Sequence, residues 1–453
     1  MNKIRKSKWA WLLGLGLIAS LLVFNCDAPG AGPEDPDTLE VSLAEGTYYA
    51  MQDIEITVPE AGATVRYTTN GTEPTEVSGE LYTGPITIAY TCEFTAVAFK
   101  DGAEIARCHN NYTLPLVVSA GSYSNGVRFN PCFWLEGIRY DLPVADGYEA
   151  NAFRSVPYAG KIYTVGSLSS IDGEYTTHAC YWINQTLVDL DDEGGISNAY
   201  GIAIDKTDGT VYTAGIYQTG TGEDEYRTAC YWRNTERIDL PSGTEGYAAA
   251  AGICLYNGTV YTSGLYQIAE DIVLPCFWIG TTRQDLPGYA YYPVYPDPEP
   301  ALWFPPGNAW SITVADDTVY CGGSVKNIAT GLMGACYWEQ TLRHDLDSES
   351  FENSMGYQIY VNGSDVYLAG GYSDGEYGYS CYWKNGSLVT LPGQNPGAVM
   401  ATDLCVSKGK VYTAGAYHDG SKLVPCYWID SIRHDLYGDG VHSAWVYSIY
   451  LEE

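Results

Sequence analysis

Residues able to carry chemistry are plentiful in this 453-residue chain, but few are spaced to do it. Histidine occurs at His109, His178, His344, His418, His434 and His442. His344 and His434 both sit in Arg-His-Asp-Leu, a phrase in which a carboxylate could orient an imidazole for acid–base work. The string Cys-(Tyr/Phe)-Trp, a source of thiol or metal-ligand chemistry, occurs at Cys132, Cys180, Cys230, Cys276, Cys336, Cys381 and Cys426. Asp205 to Gly209 (Asp-Lys-Thr-Asp-Gly) hints at calcium but departs from the EF-hand spacing. No nucleophile elbow, zinc spacing or phosphate loop is present. The 55 acidic side chains offer many carboxylate pairs for a glycosidase, and no spacing selects one.

Repetition decides between these readings and plainer ones. The seven Cys-aromatic-Trp units are spaced 48, 50, 46, 60, 45 and 45 residues apart. They therefore act as an alignment inside one chain: a residue present in every repeat reads as structural, whereas a site should break the symmetry. The slot of His344 and His434 holds Tyr140, Val188, Ile238 and Gln284 elsewhere, which makes it a strand position. The Asp beside it recurs in six repeats and is Thr390 in the other, as a strand-end acceptor would be. The repeat cysteines read as small buried residues, because equivalent strands ~10 Å apart exceed the ~7 Å Cα limit of a disulfide. Where one repeat has Asp205 to Gly209, others have the plain hairpin turns Asn257-Gly258 and Asn362-Gly363. Catalytic residues, metal ligands and cofactors are accordingly expected to be none.

The elements follow from the same repeat. A Val-Tyr-Thr-Ala-Gly-like strand precedes each Cys unit, a short strand ending near Asp-Leu follows it, and a fourth strand leads into the next repeat. Four strands and a period near 47 describe a propeller blade better than a solenoid coil, which is usually shorter. The first repeat starts at Val117 with its second strand, and Ser443 to Leu451 reads as one innermost strand without a blade. That terminal strand can complete the first blade and abolish an exposed edge. The repeats lack the kelch diglycine, the WD ending and the sialidase Asp-box, so no functional family comes with the fold. The expectation is an all-β chain: a small Ig-like β-sandwich over 39–114, then a seven-bladed β-propeller over 115–453 closed by the C-terminal strand.

Residues 39–114 alternate short strands (Ile54 to Val58, Thr64 to Thr69, Ile86 to Ala89, Phe94 to Lys100) with the hairpin signals Asn70-Gly71 and Asp101-Gly102. Their wording resembles the chitobiase/β-hexosaminidase C-terminal domain, also called the fibronectin-III-associated domain. The residues that carry the resemblance are Gly46-Thr47-Tyr48, Ala63 to Thr75 (ATVRYTTNGTEPT), Leu81 to Ile86 (LYTGPI) and Ala96 to Gly102 (AVAFKDG). The family more often has Asp at the position of Asn70. The resemblance implies an accessory module without catalysis. Cys92 and Cys108 flank the last hairpin and are a possible disulfide, although the turn places Cys108 opposite Thr95, three positions from Cys92.

Residues 1–25 read as an export leader. Lys3, Arg5, Lys6 and Lys8 precede an uncharged run from Trp9 to Phe24, whose 16 residues fall short of the ~20 a membrane-spanning helix needs. Leu22-Val23-Phe24-Asn25-Cys26 resembles the lipobox of bacterial lipoproteins, with Asn25 where that family usually has Gly, Ala or Ser. The resemblance implies lipidation of Cys26 and a flexible linker over 26–38. An ordinary signal peptide is the alternative, and either puts the mature chain outside the cytoplasm. Loss of four basic residues and no acids takes the formal charge from −32 to −36. Such a surface excludes nucleic acid, other polyanions and anionic headgroups as partners, which leaves the lipid anchor as the membrane contact.

The symmetry breaks in the fourth repeat, at the insertion Gly288 to Asn308. It holds Tyr289, Tyr291, Tyr292, Tyr295, Trp303 and Phe304 among six prolines, which would present the rings at low entropic cost. Aromatic faces on an acidic surface suit sugar C–H stacking, which needs no cation. The plainer reading is a loop folded down with its rings buried. A second feature is an aromatic slot two residues before the apolar anchor of each innermost strand: Phe153, Tyr200, Trp310, Tyr357 and Tyr447, with Ala251 and Thr402 in the other blades. Period-two alternation favours packing between blades, with a ring lining the channel mouth as the alternative. The resulting expectation is an exported, lipid-anchored protein of the bacterial cell envelope that recognises a glycan or an extracellular protein without catalysis. A glycosidase or lyase using propeller-top carboxylates, and a scaffold in an envelope assembly, are the alternatives.

Overall fold

The computed structural model describes residues 37–48, 52–88, 91–114, 116–172, 176–190, 196–219, 226–241, 247–269, 272–288, 290–291, 308–326, 331–346, 351–393 and 400–452. Cys26 and the residues before it lie outside this set.

The N-terminal unit is a small Ig-like domain with two sheets. One runs Asp37–Thr38, Ala103–Thr113, Cys92–Lys100, Thr64–Thr68, Glu80–Leu81; the other pairs Gln52–Ile54 with Ile86–Ile88. Between them Ile54, Val65, Ile88, Phe94 and Tyr112 are almost fully buried. Asp101 and Gly102 take φ of 51° and 81° and close a two-residue hairpin between Lys100 and Ala103, as the sequence predicts. Asn70-Gly71, by contrast, closes no hairpin: Gly71 alone takes a positive φ (73°), Asn70 bridges Glu93, and the next strand along the chain to pair with Thr64–Thr68 is Glu80–Leu81. The possible disulfide is corrected: Cys92 and Cys108 are free, buried thiols. An irregularity at Ala98/Phe99 shifts the register, so Cys108 lies opposite Ala96 and Cys92 opposite Tyr112. Four residues of strand separate the two, about 13 Å, twice the reach of a bridge.

Seven sheets follow, and each repeat is one blade. Blade I joins the C-terminal strand Ala444–Glu452 to Leu116–Ser124, Phe129–Leu135 and Ile138–Asp141. Blades II to VII begin with the innermost strands Tyr148–Tyr158, Ser197–Ile204, Ala248–Tyr256, Ala309–Ala315, Asn353–Asn362 and Ala401–Ser407. Each innermost strand contacts the next, and Ala401–Ser407 reaches Ala444–Glu452, which in turn contacts Tyr148–Tyr158. The ring is closed by the terminal strand, and no blade is left with an open inner edge.

The Cys-aromatic-Trp unit is what packs one blade on another. All seven tryptophans (Trp134, Trp182, Trp232, Trp278, Trp338, Trp383 and Trp428) are among the largest fully buried side chains. Trp182, Trp278 and Trp338 donate their indole N–H to the carbonyls of Pro143, Pro241 and Pro287, just after the Asp-Leu of the preceding blade. Trp134 does the same to Tyr437 across the closure seam. Burial drives the thiols of Cys132, Cys180, Cys276, Cys381 and Cys426 far up, so they are packing residues rather than nucleophiles.

The Arg-His-Asp-Leu phrase is also structural. His344 and His434 stack on the cross-strand partners Tyr337 and Tyr427 at 4.5 and 5.1 Å. The neighbouring Asp accepts from a tyrosine hydroxyl in the second strand, at 3.1 Å for Tyr123–Asp141, 2.9 Å for Tyr217–Asp239 and 3.1 Å for Tyr417–Asp435. An arginine two residues earlier lies over the same ring. In the Asp205 to Gly209 turn, Asp205 and Asp208 accept from the backbone N–H groups of Thr207 and Thr210, so the carboxylates brace their own turn.

Candidate functional site at the propeller axis

A glycine in every second strand creates the site. Gly121, Gly166, Gly215, Gly264, Gly323, Gly370 and Gly415 lie mid-strand, where a glycine otherwise weakens a sheet. A Cβ on any of the first six would sit within 1.9–2.0 Å of a backbone carbonyl of the adjacent innermost strand. On Gly415 it would sit 2.8 Å from the carbonyl of Met400. The indole of the repeat tryptophan presses on the same spot in six blades, at 2.7–3.2 Å. Only glycine admits both neighbours. It allows the innermost strand to press in and buckle.

The buckle is a β-bulge, and it recurs in all seven blades opposite that glycine. The register skips one residue at Phe153, Tyr200, Ala251, Trp310, Thr402 and Tyr447, and at the Tyr357-Gln358 step in blade VI. The extra residue breaks the period-two alternation, which is why the inter-blade assignment of the aromatic slot needs correcting. The slot faces the axis, and its seven residues converge there as the lining of one cavity.

The cavity has two aromatic walls. Tyr447, Phe153 and Tyr200 come from blades I to III, with centroids 5.7 Å apart at each step. Trp310 and Tyr357, from blades V and VI, stand 6.2 Å apart. Ala251 of blade IV and Thr402 of blade VII are the small residues that leave gaps between the walls. Burial pushes the phenols of Tyr357 and Tyr447 far above their usual range, so they stay neutral.

One residue further along each strand, Arg154, Gly201, Gly252, Ser311, Gln358, Asp403 and Ser448 occupy equivalent positions. Ser311, Asp403 and Ser448 accept hydrogen bonds from the next innermost strand, at Ile359 N (2.8 Å), Ile449 N (3.0 Å) and Ser155 N (3.2 Å). These are inter-blade ties. Arg154 breaks the pattern: it reaches across the axis, donates through Nη2 to Oε1 of Gln358, and lies 3.5 Å from Oδ2 of Asp403. Asp403 is 3% exposed, and desolvation raises its carboxyl to about 6 despite Arg154 and two backbone N–H donors. The signal that could have located this site was the mid-strand glycine, a bulge marker legible in the sequence.

The aromatic insertion is connected to this site by chain continuity. Tyr289, Tyr292, Tyr295, Trp303 and Phe304 lie outside the described residues. Of Tyr291 the backbone is described: Ala290–Tyr291 forms a short strand paired with Ile272 and Val273. The insertion ends at Asn308, two residues before Trp310.

Comparison with known proteins bears mainly on the N-terminal unit. Residues 43–106 match the chitobiase/β-hexosaminidase C-terminal domain. That match names the Ig-like module, not the propeller. No curated protein sequence matches the chain. Among solved structures, the chain is similar to the Pyrococcus horikoshii acylaminoacyl peptidase at 11% identity, with 71% of this chain and 51% of that one covered and a TM-score of 0.40. It thus spans about half the length of that peptidase. A putative 6-phosphogluconolactonase from Bacteroides fragilis matches at 14% identity over 75% of this chain and 98% of its own, with a TM-score of 0.34. A Synechocystis apocarotenoid oxygenase variant matches at 9% over 90% and 97%, with a TM-score of 0.38. At these scores none of them bears on activity.

Proposed function

We propose that this chain is an exported recognition protein of the bacterial cell envelope, anchored by a lipid on Cys26, which binds a glycan without cleaving it. The ligand would approach the end of the propeller where the outermost strands connect to the next innermost strands. The observation that carries the reading is the cavity at the axis, lined by the five aromatic slot residues, where Ala251, Thr402 and the Arg154–Asp403 pair break the seven-fold symmetry. Among the described residues no carboxylate lines that cavity; Asp403, paired with Arg154, is buried and already accepts two backbone N–H bonds. A glycosidase needs two free carboxyl groups facing the bond. The Ig-like module suits an accessory or spacer role beside such a head.

A glycan-array screen of the soluble chain from Asp27 onward, beside a variant with Tyr292 and Trp303 changed to alanine, tests the reading. Binding weakened in the variant supports recognition at this face. No binding by a folded sample refutes it and leaves an extracellular protein as the ligand to seek. Metabolic labelling with a radiolabelled fatty acid tests the anchor: the full chain should incorporate label and Cys26→Ala should not.

A further inference from the structure

We propose that the axial cavity takes the terminal residue of a neutral sugar chain, inserted edge-on between the two aromatic walls, with Arg154 donating to its hydroxyls. This rests on the glycan-recognition reading and narrows it to chain ends, neutral sugars and a defined donor.

The size of the cavity selects an end. Its volume is about 90 Å³, well below the ~300–1,000 Å³ of clefts that enclose a whole ligand. A chain segment crossing the axis would not fit, whereas the edge of one ring can enter. The walls select a ring with an apolar face: Tyr200 and Trp310 flank the gap at Ala251, so a pyranose entering there meets an aromatic surface on either side. Innermost strands start at the loop-bearing end, so Arg154 follows Phe153 one residue further from that end and lines the same cavity.

The charge balance selects a neutral ligand. Both contacts of the Arg154 guanidinium run through Nη2; among the described residues Nε and Nη1 have no hydrogen-bond partner. Those N–H groups are donors waiting for an acceptor. Asp403 already compensates the positive charge, and the chain as a whole carries −32. A sugar hydroxyl can accept from Arg154 without adding charge. A sugar carboxylate would put a second anion beside Asp403, which is ionised above about pH 6.

The test uses the soluble chain from Asp27 with the oligosaccharides that bind on the array, versions capped at the non-reducing end, and the methyl glycosides of their terminal sugars paired with the corresponding methyl uronates. Affinity is read by calorimetry and by tryptophan fluorescence. Two variants keep a folding defect from being mistaken for a binding one. Ala251→Phe closes the gap with a residue that blade II already carries in the same slot, so the bulge accommodates it. Arg154→Gln with Asp403→Ser removes both charges and restores the serine tie of Ser311 and Ser448. The expected result is a loss of at least tenfold in each folded variant, a similar loss on capping, and uronates at least tenfold weaker at pH 8. If wild-type binding is intact in both folded variants, or survives capping, or favours the uronate, the inference falls while glycan recognition stands. If a folded wild-type chain binds no glycan, both fall.

Discussion

Glu136 offers a test of how the closure seam is held. It occupies a turn slot that in blades II, III, V, VI and VII holds Asn184, Asn234, Gln340, Asn385 and Asp430, all at positive φ. In this slot Asn184, Asn234 and Asn385 accept through Oδ1 from an N–H at the start of the second strand, and Glu136 accepts through Oε1 from Val117 N at 2.8 Å. The hydrogen bond needs an oxygen, not a charge. Glu136 is only 8% exposed, and burial raises its carboxyl from 4.5 to about 7. At 1.36 kcal/mol per tenfold change, that displacement corresponds to about 3 kcal/mol for the fully ionised fold. The sign follows from the raised value: the native state binds the proton more tightly than the unfolded chain. Stability from this group is therefore full below about pH 4.5 and is lost as pH rises through 7. Glu136→Gln keeps the acceptor, as Gln340 illustrates in the same slot, and removes the ionisation. Urea unfolding of wild type and variant at pH 4.5, 6, 7 and 8 should give nearly equal stability at pH 4.5. By pH 8 the variant should lead by about 2–3 kcal/mol, roughly a 5 °C rise in Tm. A variant advantage that is independent of pH, or a variant less stable at pH 8, would refute the argument.

Trp338→Phe, at a side chain with no exposure and an indole N–H 3.0 Å from the Pro287 carbonyl, should cost about 2–3 kcal/mol in chemical denaturation; a loss below 0.5 kcal/mol would show that the tie between blades IV and V is dispensable. The soluble chain from Asp27 has twelve free cysteines, none of them exposed, so a thiol reagent at pH 8 should label less than one per chain within minutes and all of them in guanidinium. Rapid native labelling of several would contradict the packing role. Deletion from Ala444 onward strips the inner strand from Leu116–Ser124 and should yield an aggregating chain by size-exclusion chromatography; a monomer with the wild-type Tm would mean closure contributes nothing.

Much of the fold was legible because the chain carries seven copies of one sentence. The Cys-aromatic-Trp strings gave the blade count, and the orphan strand at Ser443 to Leu451 pointed to the closure that Ala444–Glu452 makes with Leu116–Ser124. The axial site was less legible. Phe153, Tyr200, Trp310, Tyr357 and Tyr447 were visible as a slot, but alternation sends that slot to the blade interface, and alternation holds only where no residue is inserted. The glycine of Val-Tyr-Thr-Ala-Gly carried the missing information. Read as a turn-former it says little; read as a residue facing a carbonyl 1.9–2.0 Å from its absent Cβ, it requires the bulge. Arg154 and Asp403 could not be paired from sequence at all, since 249 positions separate them and only ring closure brings blades II and VII to one axis.

Internal comparison also shows what the Arg154–Asp403 pair is not for. Ser311 and Ser448 tie their strands to the next blade through a neutral hydroxyl, at 2.8 and 3.2 Å, and Asp403 makes the same tie at 3.0 Å. The tie therefore does not explain a carboxylate. Holding that carboxylate ionised costs about 3 kcal/mol, from the rise of its pKa from 3.8 to about 6, and serine would cost nothing comparable. Sign and window differ from those of a surface acid: stability from Asp403 is full below about pH 4 and is lost as pH rises through about 6. At neutral pH the chain thus carries a buried charge that weakens the fold, beside an arginine whose slot is glycine in blades III and IV. Packing does not account for Arg154 either, because glycine and serine fill its slot in closed blades. What the pair adds, and serine and glycine cannot, is a fixed guanidinium lining an aromatic cavity, its charge balanced by its partner, with N–H groups still free to donate. Replacing Asp403 with serine alone should leave Arg154 uncompensated there, and the change should reverse the ligand's charge preference: a methyl uronate should gain affinity relative to its neutral glycoside at pH 8. Equal preference in wild type and variant, measured by calorimetry, would separate the pair from the ligand.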